Sequence, residues 1–372
     1  MTWPWLQIEP FYQALLERPL RADNVDAWLS DWSHLIDLLS EAHARLNVAI
    51  TQDTADRVAE EHYHTFLDGV HQSAQAANQQ LKEKLLKSGL QPEGFDLPLR
   101  KMRTEAALFR SANLPLLAQE PKIAAEYNRL VGPQSLTWQG EELTLQQLRK
   151  VLQDPERSVR EGVWRLAAWR WLEDRPLINQ IWVRLMDVRR RLAQNAGLSD
   201  YRAYRWQQML RLDNTPAHCV EFQQAIEQVA VPAVTRLYEH YRQRQGLARL
   251  RPWDLENDLL PLHFPPLPPY GGVSELAQKA EAIFYRLDPQ LGEYFHTLRV
   301  ENMLDLENRK GKAPGAYVSS YNALRRPFLF MNAVGLHGDL RTILHEAGHA
   351  FHNFERYRLP YAQQRLSGME FN

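Results

Sequence analysis

Two histidines flanking a glutamate, in His345-Glu346-Ala347-Gly348-His349, can act together only if the chain around them is helical. At 3.6 residues per turn, positions i and i+4 stand roughly 40° apart on one helix face, one turn above the other. Two imidazoles so placed can converge on one Zn²⁺ at about 2.0–2.1 Å each. Glu346 lies roughly 100° round from His345 and 60° from His349, so it flanks such an ion without ligating it. There its carboxylate can take a proton from metal-bound water, whose pKa the ion lowers towards 7. Ile343, Ala347, Ala350 and Phe354 follow i, i+4, i+7, i+11 and put an apolar stripe opposite the histidines. The competing reading is a buried amphipathic helix that merely happens to carry His and Glu. His352 shares the polar face, but about 1.5 Å of rise per residue sets it roughly 10 Å from His345, which suits packing or support of the site rather than ligation. The helix lacks the Gly and third His of the extended zinc signature, since those positions hold His352 and Glu355.

The 372 residues allow two domains or one large one. A hydrophobic share of 44% and a charged share of 24% are those of an ordinary globular chain. The net charge of −1 argues against nucleic acid or an anionic membrane surface as partner. The Arg-rich run from Arg236 to Arg251 then reads as a solvated helix end. Cys219 is alone, which rules out a disulfide framework and fits a reducing compartment; a small apolar helix residue is its default role. The first twenty residues show no basic start followed by an apolar run, and no stretch approaches 18 apolar residues. The expected location is cytoplasmic.

Most of the chain reads as helix. Spaced apolar residues such as Trp28, Trp32, Leu35 and Leu39 predict helices over 24–50 and 54–87, with the tryptophans filling the space between them. A connector over 89–98 precedes a helical pattern over 99–130. Leu136-Thr137-Trp138 and Glu142-Leu143-Thr144 around Gln139-Gly140 predict a short hairpin. Asp154-Pro155 is a helix start, with a break expected near Asp174-Arg175-Pro176 and a restart towards Ala196-Gly197. Another helix opens at Asn214-Thr215-Pro216 and runs to about Gly246. Pro261, Pro265, Pro266, Pro268 and Pro269 with Gly271-Gly272 form an irregular loop. After a helix over 274–287, the segments 303–306, 315–319 and 327–331 read as short strands leading into the His-Glu helix.

Several of these segments together resemble one family. Asp305-Leu-Glu-Asn-Arg-Lys-Gly-Lys-Ala-Pro-Gly-Ala-Tyr317, Pro327-Phe-Leu-Phe-Met-Asn332 and His345-Glu-Ala-Gly-His-Ala-Phe-His352 are similar to the oligoendopeptidase F and thimet oligopeptidase family. Asn195-Ala-Gly-Leu-Ser-Asp-Tyr201, Asp213-Asn-Thr-Pro216 and Leu250-Arg-Pro-Trp-Asp254 resemble its bacterial oligoendopeptidase branch. The resemblance implies a mainly α, multi-helical zincin-type (neurolysin-like) zinc endopeptidase with a small β-sheet before the metal-binding helix. It implies a deep channel that admits short peptides and excludes folded proteins. By position, His345 and His349 match the zinc ligands, Glu346 the general base, and Gly315-Ala316-Tyr317 the segment along the substrate channel. An edge strand beside the metal would suit such an enzyme, because main-chain pairing with an extended peptide is independent of its sequence.

The resemblance also exposes a gap. The family's third zinc ligand is a Glu on the next helix, and its oxyanion-stabilising His and Tyr lie further on. Gly368-Met369-Glu370-Phe371-Asn372 resembles the lead-in to that Glu, and the sequence stops there. Glu370 falls about one turn early, and Glu355 points about 120° away from His349. The expectation is therefore an N-terminal helical domain over 1–195 and the first part of a catalytic domain over 196–372, cut within its active site and nearly inactive alone. Two alternatives stand beside it: a catalytically inactive helical peptide-binding module, and a different zinc hydrolase recruiting a ligand such as Asp305.

Overall fold

The computed structural model describes residues 3–255 and 269–365. Most of the proline-rich loop, and Glu370 with its neighbours, lie outside them. Helix α1 (Trp5–Glu17) packs beside α2 (Val25–Gln52), whose length lets one helix serve three cores. Its first turns bury Trp28, Leu29 and Trp32 completely, among Tyr12, Leu81 and Phe95. Further along, Ile50 meets Tyr63 and Leu67, while Val48 meets Phe328 and Phe330 of the sheet.

α3 (Arg57–Phe66) starts where Asp56 accepts from the Val58 and Ala59 amides, a side-chain cap for two otherwise unpaired donors. It passes through a π-helical turn over Leu67–His71 into α4 (Gln72–Ser88), which ends at Gly89 with φ +71°, a conformation glycine adopts without strain. The helical pattern expected over 99–130 folds as two helices, α5 (Asp96–Leu108) and α6 (Leu114–Val131). Tertiary contact decides the break: Asn113 is buried, donates to the Leu192 carbonyl and accepts from Asn195. Strands β1 (Ser135–Trp138) and β2 (Glu141–Thr144) form the expected hairpin, with positive φ at both Gln139 and Gly140, as a two-residue turn of primed type requires.

After the short α7 (Leu148–Val151), the break expected near Pro176 is absent. α8 runs unbroken through 39 residues, Arg157–Asn195. Pro176 cannot bond the Leu172 carbonyl, but both residues are exposed there, so water can take that acceptor. Ion pairs Arg170–Asp174 and Arg165–Glu161 along the helix add support. α9 (Tyr201–Gln208), α10 (Pro216–Ala225), a π turn, α11 (Val231–Arg244) and α12 (Pro252–Leu255) follow. Phe222, Val229 and Leu237 on this stretch stay largely exposed.

The last core lies under the His-Glu helix. α13 (Val273–Leu287) and α14 (Pro289–Val300) pack as a pair against a three-stranded sheet of order β3-β5-β4: β3 (Leu304–Glu307), β4 (Tyr317–Tyr321), β5 (Arg326–Ala333). β3 runs parallel to the central β5 and β4 antiparallel to it. α15 (His337–Arg356) lies on this assembly with Ile343, Ala347 and Ala350 at zero exposure. Fully burying one Ile side chain contributes roughly 1.5–3 kcal/mol, so the apolar stripe alone anchors the helix's orientation.

Candidate metal centre and substrate edge

The orientation of α15 follows from that buried stripe, and it turns His345 and His349 outward. Their Nε2 atoms stand 3.2 Å apart with the rings perpendicular. Two ligands of a tetrahedral zinc at about 2.05 Å would be separated by about 3.3 Å, so the pair fits one edge of such a site. Between them Glu346 is buried, and its carboxylate makes no hydrogen bond among the described residues. Burial pushes its pKa up, against the pull of His349 and His345. The carboxylate thus stands beside two convergent nitrogens. His352 is part-buried further along the same face.

The start of α15 is fixed by Asp339. Its Oδ2 accepts from the Val334, Gly335 and Leu336 amides at 2.8–2.9 Å and from the Tyr270 hydroxyl. The reach back to the residue before the helix is one half of a capping box. Gly335, at φ +94°, makes the turn that aims these amides inward. Asp339→Ala leaves the Val334 and Leu336 amides unpaired, while the Gly335 amide keeps the Tyr270 hydroxyl. It is expected to cost about 2–4 kcal/mol in urea unfolding, with Tyr270→Phe costing about 1.

The strand beside the helix presents backbone rather than side chains. Leu329 donates its amide to Met303 on the β3 side, so Phe328 and Phe330 pair with β4 through Ser319 and Tyr317. Alternation then turns the N–H and C=O of Val318 and Ser320 to the open edge, unpaired among the described residues. Of the channel segment expected from the sequence, Gly315 adopts φ +97° and its carbonyl accepts from Asn332. Ala316 packs into the core under α15. The Tyr317 hydroxyl bonds Thr51 on α2 at 2.5 Å and its ring stacks on Phe330. Burial raises the pKa of that phenol well above its ordinary value. Its side chain is occupied and its main chain pairs with Phe330, so the free main-chain groups are those of Val318 and Ser320 further along the strand.

The remaining carboxylates do not complete the metal set. Asp305 binds Arg309, Lys312 and Gln52, which removes it as a metal ligand. Glu355 is exposed and accepts from Tyr294. Among the described residues no group of three His, Cys, Asp or Glu side chains is placed to hold a metal. Sequence reasoning missed Ser320, Asn353 and Arg356, linked by bonds from Ser320 Oγ to Asn353 Oδ1 (2.7 Å) and from Arg356 Nη2 to Ser320 Oγ (3.0 Å). The signal was present, since Arg356 continues the spacing of His345, His349 and His352 at i+11.

Residues 150–357 match Peptidase family M3. No individually curated protein matches the sequence. Among solved structures, a protein described as an oligoendopeptidase F from Bacillus anthracis str. Ames shares 21% identity at a TM-score of 0.91, covering 100% of this chain and 69% of that one. PZ peptidase A, solved with an inhibitor, shares 23% at 0.91, covering 100% and 66%. Another protein described as an oligoendopeptidase F shares 23% at 0.88, covering 96% and 64%. The chain thus spans about two thirds of these structures and shares their mainly helical fold throughout its length. None of its described helices is long and apolar enough to cross a membrane.

Proposed function

The chain belongs to peptidase family M3, and from that premise we propose that it carries the metal-binding helix and substrate edge of a zinc-dependent endopeptidase acting on short peptides. The observation that carries the reading is the His345–His349 pair, whose Nε2 atoms stand 3.2 Å apart, with the largely buried Glu346 between them in sequence. His345 and His349 would hold Zn²⁺, which when bound supplies Lewis acidity and a water of lowered pKa. Glu346, beside them, would hold and move the proton between nucleophile and leaving amine, as general base and then acid. The open edge of β4 aligns an extended peptide through Val318 and Ser320, so alignment does not depend on the peptide's sequence.

A catalytic zinc has three protein ligands and an open position. We place the third outside the described residues, since no carboxylate among them completes a three-ligand set. We retain 1–195 and 196–372 as the helical and catalytic portions, and a cytoplasmic location from the lone Cys219.

The test is zinc titration and peptide turnover on the 372-residue chain. Zinc is expected to bind at one equivalent, weakly, with turnover near background. Peptide binding untouched by His345→Ala and without zinc uptake would favour a non-catalytic binding module. Brisk turnover that Glu346→Gln abolishes would show the third ligand to lie within the chain.

A further inference from the structure

A cavity of about 340 Å³ lies between α2, α4, α5, α6 and α9, with the segment after α15 along one side. That volume is within the range of small-ligand sites, and no residue of α15 lines it. Trp32, Ile36, Met102, Leu114 and Leu117 give it an apolar side. Its charged groups are answered within the fold. Lys82 meets Glu105 at 2.8 Å, and the same carboxylate offsets the burial of Lys101. Arg110 donates to the carbonyls of Ala107, Phe109 and Ala196. What stays open is neutral amide. Gln79, 4% exposed, gives its Nε2 to Glu83, and Gln75 meets His71 through Nε2. Neither Oε1 is bonded among the described residues. Gln363, 3% exposed, accepts from the Ser33 hydroxyl, and its Nε2 is buried with no partner. A buried donor without an acceptor is costly, and this one borders a cavity.

Two amide acceptors and one amide donor complement a peptide main chain, which carries both N–H and C=O on every residue. The spacing agrees. Gln75 and Gln79 stand one turn apart on α4, about 6 Å along its axis. The N–H groups on one side of an extended chain recur every second residue, at about 6.6 Å. A segment lying along α4 thus brings two N–H groups to the two Oε1 atoms. It also brings a carbonyl for Gln363 and a side chain for the apolar wall.

We propose that this cavity is a second peptide-binding site, which holds about three extended, uncharged residues by their main chain and takes one apolar side chain against Trp32. It stands apart from the metal helix, so its test needs no zinc and its failure leaves the peptidase reading intact. The probes are N-acetyl-Ala-Leu-Ala N-methylamide, the same peptide with its backbone nitrogens methylated, and N-acetyl-leucinamide. Each is titrated calorimetrically into the zinc-free 372-residue chain and into its Gln79→Leu, Gln363→Met, Leu117→Trp and Gln80→Leu variants. The methylated peptide, which has lost its N–H donors, is expected to bind at least ~10-fold more weakly than its parent. Gln79→Leu and Gln363→Met each weaken the parent peptide about 3- to 10-fold. Leu117→Trp fills the cavity from its apolar side and abolishes binding, and the exposed control Gln80→Leu leaves it unchanged. A Gln79 that only supports the fold would shift urea unfolding and leave the ratio of parent to methylated peptide as it was. Binding that neither glutamine variant nor Leu117→Trp alters puts the peptide elsewhere and overturns the proposal. Equal affinity for the methylated peptide overturns main-chain recognition, and equal affinity for N-acetyl-leucinamide overturns the two-point register along α4. Absence of binding by all three probes overturns the site itself.

Discussion

Glu346→Gln is expected to keep zinc and lose turnover. Measured on the protein with its metal set complete, kcat should fall by about 10²–10⁴-fold, the range a general base contributes. Zinc affinity should change little, because the carboxylate lies between the imidazoles without being needed as a ligand. His345→Ala and His349→Ala should show the opposite order of effects, each lowering zinc affinity by more than ~100-fold, beyond what loss of a supporting contact costs. The contrast is informative because glutamine keeps the size of the side chain and removes only its basicity. If Glu346→Gln instead released the metal, Glu346 would be a ligand and the proton-transfer role would fall. Zinc content by atomic absorption and turnover of a quenched fluorescent peptide separate the two outcomes.

The region around Glu346 was legible because a helix repeats on a short period. Ile343, Ala347 and Ala350 announce the buried side of α15 by spacing alone, and the histidines follow on the other. The sheet was harder to read. The strand segments were apparent, but nothing local states that β5 lies in the middle or that β3 runs parallel to it. That order is set by contacts between distant residues, such as Val48 of α2 against Phe330. Pro176 misled for a related reason. The expected break treats the lost hydrogen bond as decisive, whereas the exposed Leu172 carbonyl can turn to water. Arg356 was visible as a position on a stripe; its lack of an acidic partner is a property of what folds around it. Ser33, whose hydroxyl bonds Gln363 and accepts from the Ala362 amide, joins α2 to the segment after α15 across most of the sequence, and no window of sequence contains both ends.

Asp305→Ala is expected to be the most destabilising single change in the sheet region, at about 3–5 kcal/mol. The reason is the partner it abandons. Lys312 has no side-chain exposure, and its Nζ donates to Asp305 Oδ1 at 2.8 Å and to the carbonyls of Asp305, Glu307 and Met331. Burial draws its pKa down to about 8 although Asp305 pulls the other way. Without the carboxylate the ammonium keeps only neutral acceptors, and breaking a buried pair by removing one partner leaves an uncompensated charge. The pH dependence checks the cause. Burial pushes Asp305 up, but Arg309, Lys312 and Gln52 outweigh it and hold the folded pKa at about 2. The stability it contributes is therefore complete above the unfolded value near 3.8 and lost as pH falls through about 2. Asp305→Ala should flatten that acid limb in urea unfolding followed between pH 4 and pH 2. At the alkaline end the unfolded chain holds the Lys312 proton longer than the folded one, so stability rises with pH above about 8. With Asp305 gone the folded pKa of Lys312 drops further, and the rise should begin at lower pH. A variant as stable as the parent, with its acid limb unchanged, would mean that Arg309 and Lys312 hold this corner of the sheet without the carboxylate.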